Sequence, residues 1–244
     1  MTRTYWTALG AVVLALLLAA AATVATASGS SDTGGERPEV SSPDAGFARD
    51  MSVHHQQAVE MSFIVRDRTK DEGIRNLAYD IANTQANQRG MMLGWLDMWG
   101  LPKVVPGEEP MAWMAPGSGS ASAPAPAPAP ASGGGGGSGH GGHGGHGGHS
   151  MGGVTAKPGA LMPGMATKAE LAELGTLEGK QAEILYLQLM TDHHKGGVAM
   201  AEGCAKLCET PVERQLAQGM VDAQQSELLL MANLLKQRGA KPRE

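Results

Sequence analysis

Residues 51–61, MSVHHQQAVEM, and residues 190–200, MTDHHKGGVAM, share a Met-x-x-His-His start and a closing Met. His54 and His193 stand 139 positions apart. The same offset, without a gap, pairs Val59 with Val198, Arg75 with Arg214, Leu77 with Leu216, Gln85 with Gln224, Met92 with Met231 and Gly100 with Gly239. An ungapped register of this kind marks an internal duplication. Met51, His54, Ala58 and Met61, like Met190, His193, Gly197 and Met200, follow the 3, 4, 3 spacing of one helical face. Each half therefore reads as a helical hairpin whose His faces an inner seam.

Punctuation along the chain sets the helix ends. Ser42-Pro43 reads as an N-cap followed by a first-turn proline. Thr69 to Glu72 and Thr210 to Glu213 each have the form of a capping box, so a helix starts at the same place in both halves. Gly100 with Pro102, and Gly239 with Pro242, mark the stops. The pattern predicts helices over 43–67, 70–99, 177–207 and 211–238, with a short extra helix capped by Thr167 ahead of the third. Aromatics make up only 4% of the chain against 15 Met residues, and strand-type runs are lacking, so the class is all-α.

The two hairpins, 43–101 and 158–239, are expected to form one domain. Before them, residues 1–27 read as a signal peptide, with Ala25-Thr26-Ala27 as the cleavage signal. The apolar run from 8 to 27 also has the length of an N-terminal membrane anchor. In either case the remainder is extracytoplasmic: secreted, cell-envelope associated or membrane-anchored. Residues 28–42 read as a flexible segment. Between the hairpins, 102–157 reads as a disordered linker rich in Pro, Ala, Gly, Ser and His, which cannot bury a core. Its His140, His143, His146 and His149 form a loose metal tract, since glycine-spaced histidines fix no geometry. A net charge of −5 without a basic cluster excludes nucleic acid as a partner.

All eight histidines fall in the two pairs and the linker tract. A metal ion is therefore the expected partner, with Met51, His54, His55, Met190, His193, His194 and Glu227 as candidate ligands. Axial counting from each hairpin turn puts Gln85 level with His54 and Gln88 with Met51, and puts Gln224 and Glu227 beside His193 and Met190. These polar interruptions of an apolar seam need partners. Met61 and Met200 lie two turns beyond the His and are either core fillers or a second, Met-only site. Thioether with imidazole suits copper, as Cu(I) or Cu(II), or zinc. A ferritin-type di-iron oxidase would need a set of carboxylates, and Glu227 is the single acid in the layer. No catalytic triad, phosphate loop or acid pair is present, so the chain reads as a non-enzyme. Cys204 and Cys208, at i,i+4, read as a disulfide in an exported chain, with a thiolate pair for a soft metal as the alternative.

FARDMSVHHQQAVEMS, IRNLAYDIANTQANQRGMMLGWL, MPGMATKAELAEL and LYLQLMTDHHKGGVAMA resemble the DUF305 family of exported bacterial proteins, over about 44–101 and 160–239. The resemblance implies a ferritin-like four-helix bundle and, by analogy with some members, copper binding and tolerance outside the cytoplasm. It assigns the motif to Met51, His54, His55, Met61, Met190, His193, His194 and Met200. Gln88 departs from the Glu common in relatives, and Gly197 replaces Ala, an exchange expected to be harmless. The sequence thus predicts copper sequestration in extracytoplasmic metal homeostasis. The alternative is a structural or interaction module of the envelope without bound metal.

Overall fold

The computed structural model describes residues 37–115 and 156–243. The signal or anchor segment 1–27 and the four linker histidines lie outside the described residues. Those described form five α-helices and no strand: α1 Pro43–Arg68, α2 Glu72–Trp99, α3 Lys168–Thr176, α4 Gly179–Leu207 and α5 Pro211–Gln237, with a 3-10 turn at Ala112–Met114. No helix among them is long and apolar enough to cross a membrane.

Local chemistry explains most of these ends. The Ser42 hydroxyl accepts from Ala45 N–H at 3.2 Å, and Pro43 occupies the first turn of α1. Thr167 and Glu170 close a reciprocal capping box on α3. Gly100 ends α2 in the left-handed region (φ 58), returning its N–H to Asp97 O. The two other predicted boxes do not form. Asp71 caps α2 by accepting from Ile74 N–H at 2.9 Å, while the Thr69 hydroxyl donates across to Glu183 at 2.5 Å. Thr210 makes no side-chain cap on α5. Glu213 turns inward instead and is fully buried beside Asp44. In both cases a long-range polar partner outcompetes the local one.

α1 packs on α2 and α4 on α5, and the two hairpins join through α1 and α4. Across that seam Asp44 accepts from Glu209 and Thr210 N–H, His54 meets His193, Ser62 meets Tyr186 and Thr69 meets Glu183. Numbers rise along α1 as they fall along α4, so the joined helices are antiparallel. The register divides the core in two. One apolar cluster holds Met51, Met92, Leu96, Met200 and Met220, and the other holds Met61, Ile74, Ile81, Met190 and Met231. The histidines lie between the two.

Two expectations change here. The linker does not begin at 102, because Trp113 and Met114 are only 2% and 5% exposed and belong to the first cluster. Trp113 meets Phe47 edge-on at 5.8 Å and its Nε1–H donates to Asp50 at 3.0 Å. A Cβ on Gly46 would stand 2.5 Å from the Trp113 ring, so this approach requires glycine. Burial of a large aromatic with a partnered N–H offsets the cost of ordering a segment that has no helical period. In the same cluster, Cys204 and Cys208 are joined as a disulfide with Cα atoms 4.8 Å apart. Cys208 is the C-cap of α4, in extended conformation, which frees its side chain from the helical direction. The thiolate-pair alternative does not describe this oxidised form.

Candidate metal centre

The two His pairs converge at the middle of the α1–α4 seam, and all four imidazoles are fully buried. His54 and His193 lie with ring centroids 3.8 Å apart at 34°. Each Nε2 is held by an acceptor: His54 by Pro163 O at 3.3 Å, His193 by His54 O at 2.9 Å, His55 by Gln88 Oε1 at 2.8 Å and His194 by Glu227 Oε2 at 2.5 Å. Carbonyl and carboxylate oxygens only accept, so each Nε2 carries a hydrogen. The Nδ1 atom of every one of the four is left without a hydrogen-bond partner.

Electrostatics keep these rings in a ligating form. Burial drives the His54 pKa down to about 3, with neighbouring His55 adding to the fall. Burial likewise lowers His55 to about 4 against the opposing Gln88 bond. His193 is pushed well below its usual value by burial and then by His54. These three imidazoles are therefore neutral at neutral pH, with the lone pair on Nδ1. An imidazole whose far N–H is fixed by a carbonyl or carboxylate is how proteins orient a metal-binding histidine.

The predicted partners sit close to their expected places, with one shift. Gln88 bonds His55, not Met51, and Glu227 bonds His194, not Met190. Counting from each turn misses about one helical turn, because it ignores how the hairpin helices are staggered. Met51, Met61, Met190 and Met200 are all fully buried. The antiparallel seam puts Met51 in a cluster with Met200 and Met61 with Met190, so thioethers flank the His on both sides. Gln85 and Gln224 are buried too; neither amide atom of Gln85 finds a partner, nor does Gln224 Oε1.

Gly197 stands against the tip of Gln224, a flexible side chain, which agrees with an exchange for Ala at small cost. A Cβ there would lie 2.5 Å from Gln224 Oε1, so that amide would have to turn aside. The first half has Ala58 at this position, so the duplicated sites differ.

Sequence reasoning also missed a loop. Residues 160–166 cross the seam, burying Met162 and Met165, and Pro163 O accepts from His54. Gln57 holds the loop through Ala166, accepting from its N–H at 2.6 Å and donating to its carbonyl at 2.9 Å. The signal was the run Met162-Pro163-Gly164-Met165, two more thioethers around a Pro-Gly turn. Gly196 lets the loop seat, since a Cβ there would fall 2.1 Å from Pro163 O. Gly196→Ala is expected to cost about 2 kcal/mol of stability, read by urea unfolding, because backbone must move to relieve the overlap. Unchanged stability would mean that the loop is not clamped there.

The donor set defines what the centre can hold. Among the described residues the one three-donor group of Cys, His, Asp or Glu is Cys204, Cys208 and Glu213, away from the His layer. The layer itself offers imidazoles with thioethers and a single adjacent carboxylate, Glu227. That composition fits a soft ion, with Glu227 giving the His194 side a negative charge that Gln88 does not give His55.

Residues 44–235 match the family described as a domain of unknown function, DUF305. A DUF305 protein from Streptomyces coelicolor, described as secreted, is 53% identical; the match covers 84% of this chain and 99% of that one, with a TM-score of 0.64. A DUF305 fragment from Deinococcus radiodurans is 27% identical over 80% of this chain and 96% of its own, TM-score 0.54. CopM in its Cu(I)-bound form shares the fold at 16% identity and TM-score 0.50, over 80% of this chain and 96% of its own. No curated protein matches. With its family match spanning both hairpins and a half-identical relative covered almost end to end, the chain belongs to the DUF305 family.

Proposed function

We propose that this protein binds and sequesters copper outside the cytoplasm, without catalytic turnover. One observation carries the reading: four buried imidazoles, each fixed through Nε2, leave four unpartnered Nδ1 atoms in a core rich in thioethers. An unsatisfied buried acceptor costs free energy that a bound ion would recover. Imidazole and thioether together favour copper over harder cations. CopM, which shares the fold, binds Cu(I). The secreted description of the Streptomyces relative supports an extracytoplasmic location.

Copper titration of wild type against a variant with His54, His55, His193 and His194 all changed to Ala tests this. The variant is expected to bind at least about 100-fold more weakly, with circular dichroism checking that both remain helical. Equal binding would overturn the proposal. A second reading, an envelope module without metal, draws on the close approach of the His54 and His193 rings and their bonds to backbone carbonyls. It expects a thermal midpoint indifferent to copper and to chelator.

A further inference from the structure

At the end of the seam remote from the Thr69–Glu183 contact, three elements bring together the last turn of α4, its C-cap and the first turn of α5. They supply Cys204, Cys208 and Glu213, all buried. One carboxyl oxygen of Glu213 lies within 4.8 Å of both sulfurs. Glu213 faces the Asp44 carboxyl, and neither of its oxygens meets that group in good hydrogen-bond geometry. Asp44 stands beside it, but that carboxylate is committed to the backbone N–H of Glu209 and Thr210 at 3.0 and 2.7 Å. A fully buried carboxyl within reach of two sulfurs, whose polar neighbour is a second acid, Asp44, is a costly arrangement for a purely structural disulfide.

We infer that Cys204, Cys208 and Glu213 form a second metal site when the disulfide is reduced, taking a borderline divalent cation of the zinc class. Two thiolates and a carboxylate are the donor mixture such an ion accepts, while a softer monovalent ion would leave the oxygen unused. The geometry permits it. With metal–sulfur bonds of about 2.3 Å, tetrahedral angles put the sulfurs roughly 3.8 Å apart. Rotation about the two Cα–Cβ bonds opens the present bridge to that separation, with the Cα atoms staying near their 4.8 Å spacing. An external dithiol supplies two electrons and two protons: its own sulfurs join as a disulfide, the Cys204–Cys208 bond breaks, and two thiols form. Metal entry makes two metal–sulfur bonds and one metal–oxygen bond, releasing the two thiol protons and the Glu213 proton to solvent. Disulfide and metal are thus alternative occupants of one place.

The test uses the full chain, reduced and freed of reductant without air, titrated with cobalt(II) or cadmium(II). The readout is thiolate-to-metal charge-transfer absorption, which the imidazole and thioether layer does not produce. The reduced chain is expected to take one ion per molecule with this band, and the oxidised chain none. Cys204→Ser and Cys208→Ser should each abolish the band. Glu213→Gln should keep it and weaken affinity about tenfold. Absence of the band in a reduced chain that is still helical would overturn the inference, as would unchanged affinity in Glu213→Gln. Loss of helical circular dichroism on reduction would also overturn it, because the site needs α4 and α5 in place.

Discussion

Glu213→Gln is expected to stabilise the folded chain at pH 7 by about 3 kcal/mol, an unusual direction for a change in a buried core. Burial, with the Asp44 charge beside it, pushes the Glu213 pKa up to about 10 from 4.5. Asp44 moves the other way, since its bonds from Thr210 and Glu209 outweigh its own desolvation. In the unfolded chain Glu213 ionises above 4.5, whereas the folded chain must keep it protonated. Stability is therefore fully present below pH 4.5 and declines steadily as pH rises toward 10. Gln has nearly the same shape and has no proton to lose. The advantage of the variant should grow from about 1 kcal/mol at pH 5 to about 3 at pH 7. Urea unfolding at pH 5, 7 and 9 measures it. A gap that stays constant or reverses sign with pH would contradict the Asp44–Glu213 account.

The histidine layer produces the second large effect, with opposite sign. His54 and His55 have pKa values of about 3 and 4 in the fold, against 6.5 unfolded. As pH falls below 6.5 the unfolded chain takes up protons that the folded chain refuses, so stability drains away until the folded values are reached. Between pH 6.5 and 5 each group costs about 2 kcal/mol, so the pair costs about 4, and His193 adds in the same direction. The metal-free protein should thus have a stability maximum between about pH 6.5 and 7, squeezed by Glu213 from above and the histidines from below. Under the copper proposal an ion on Nδ1 blocks protonation, and at 100 times its Kd adds about 2.7 kcal/mol. Thermal midpoints recorded from pH 4.5 to 7, with and without copper, test both parts. The acid limb should be steep in the metal-free protein and shallow in the loaded one. Identical limbs would separate the histidines from metal binding.

Much of this was legible in the sequence because the duplication repeats it. Met51, His54 and their partners 139 positions on fixed the inner face, and helix boundaries followed from Ser42, Thr167 and Gly100. The pairing of both hairpins with their own Gln88 and Glu227 was also foreseeable to within a turn. What escaped was set by contacts distant in sequence. Thr69 and Glu213 have the spelling of capping boxes, yet Glu183 and Asp44, brought by other helices, claim them. Trp113 sits in a stretch with no periodicity, so only its meeting with Phe47 and Asp50 reveals that it is core. The direction of α4 against α1 decides that Met200 joins Met51, and no spacing within either half contains that direction. The duplication itself misleads once: His54 bonds a loop carbonyl while His193 bonds the backbone of His54, so equivalent residues do different things.

The contacts across the α1–α4 seam have a kinetic corollary. They join residues 109 to 166 positions apart, from Gln57–Ala166 to Asp44–Thr210. The contacts inside each hairpin are far more local, and local contacts form first. Two hairpins should therefore assemble early and independently, and their docking should set the folding rate. The entropy of closing so long a loop changes by only about 0.6 kcal/mol when its length doubles. The low-complexity stretch between the hairpins is accordingly free to lengthen, shorten or change composition at little thermodynamic cost. The seam has no such freedom, since each displaced residue there leaves a buried polar atom unmatched.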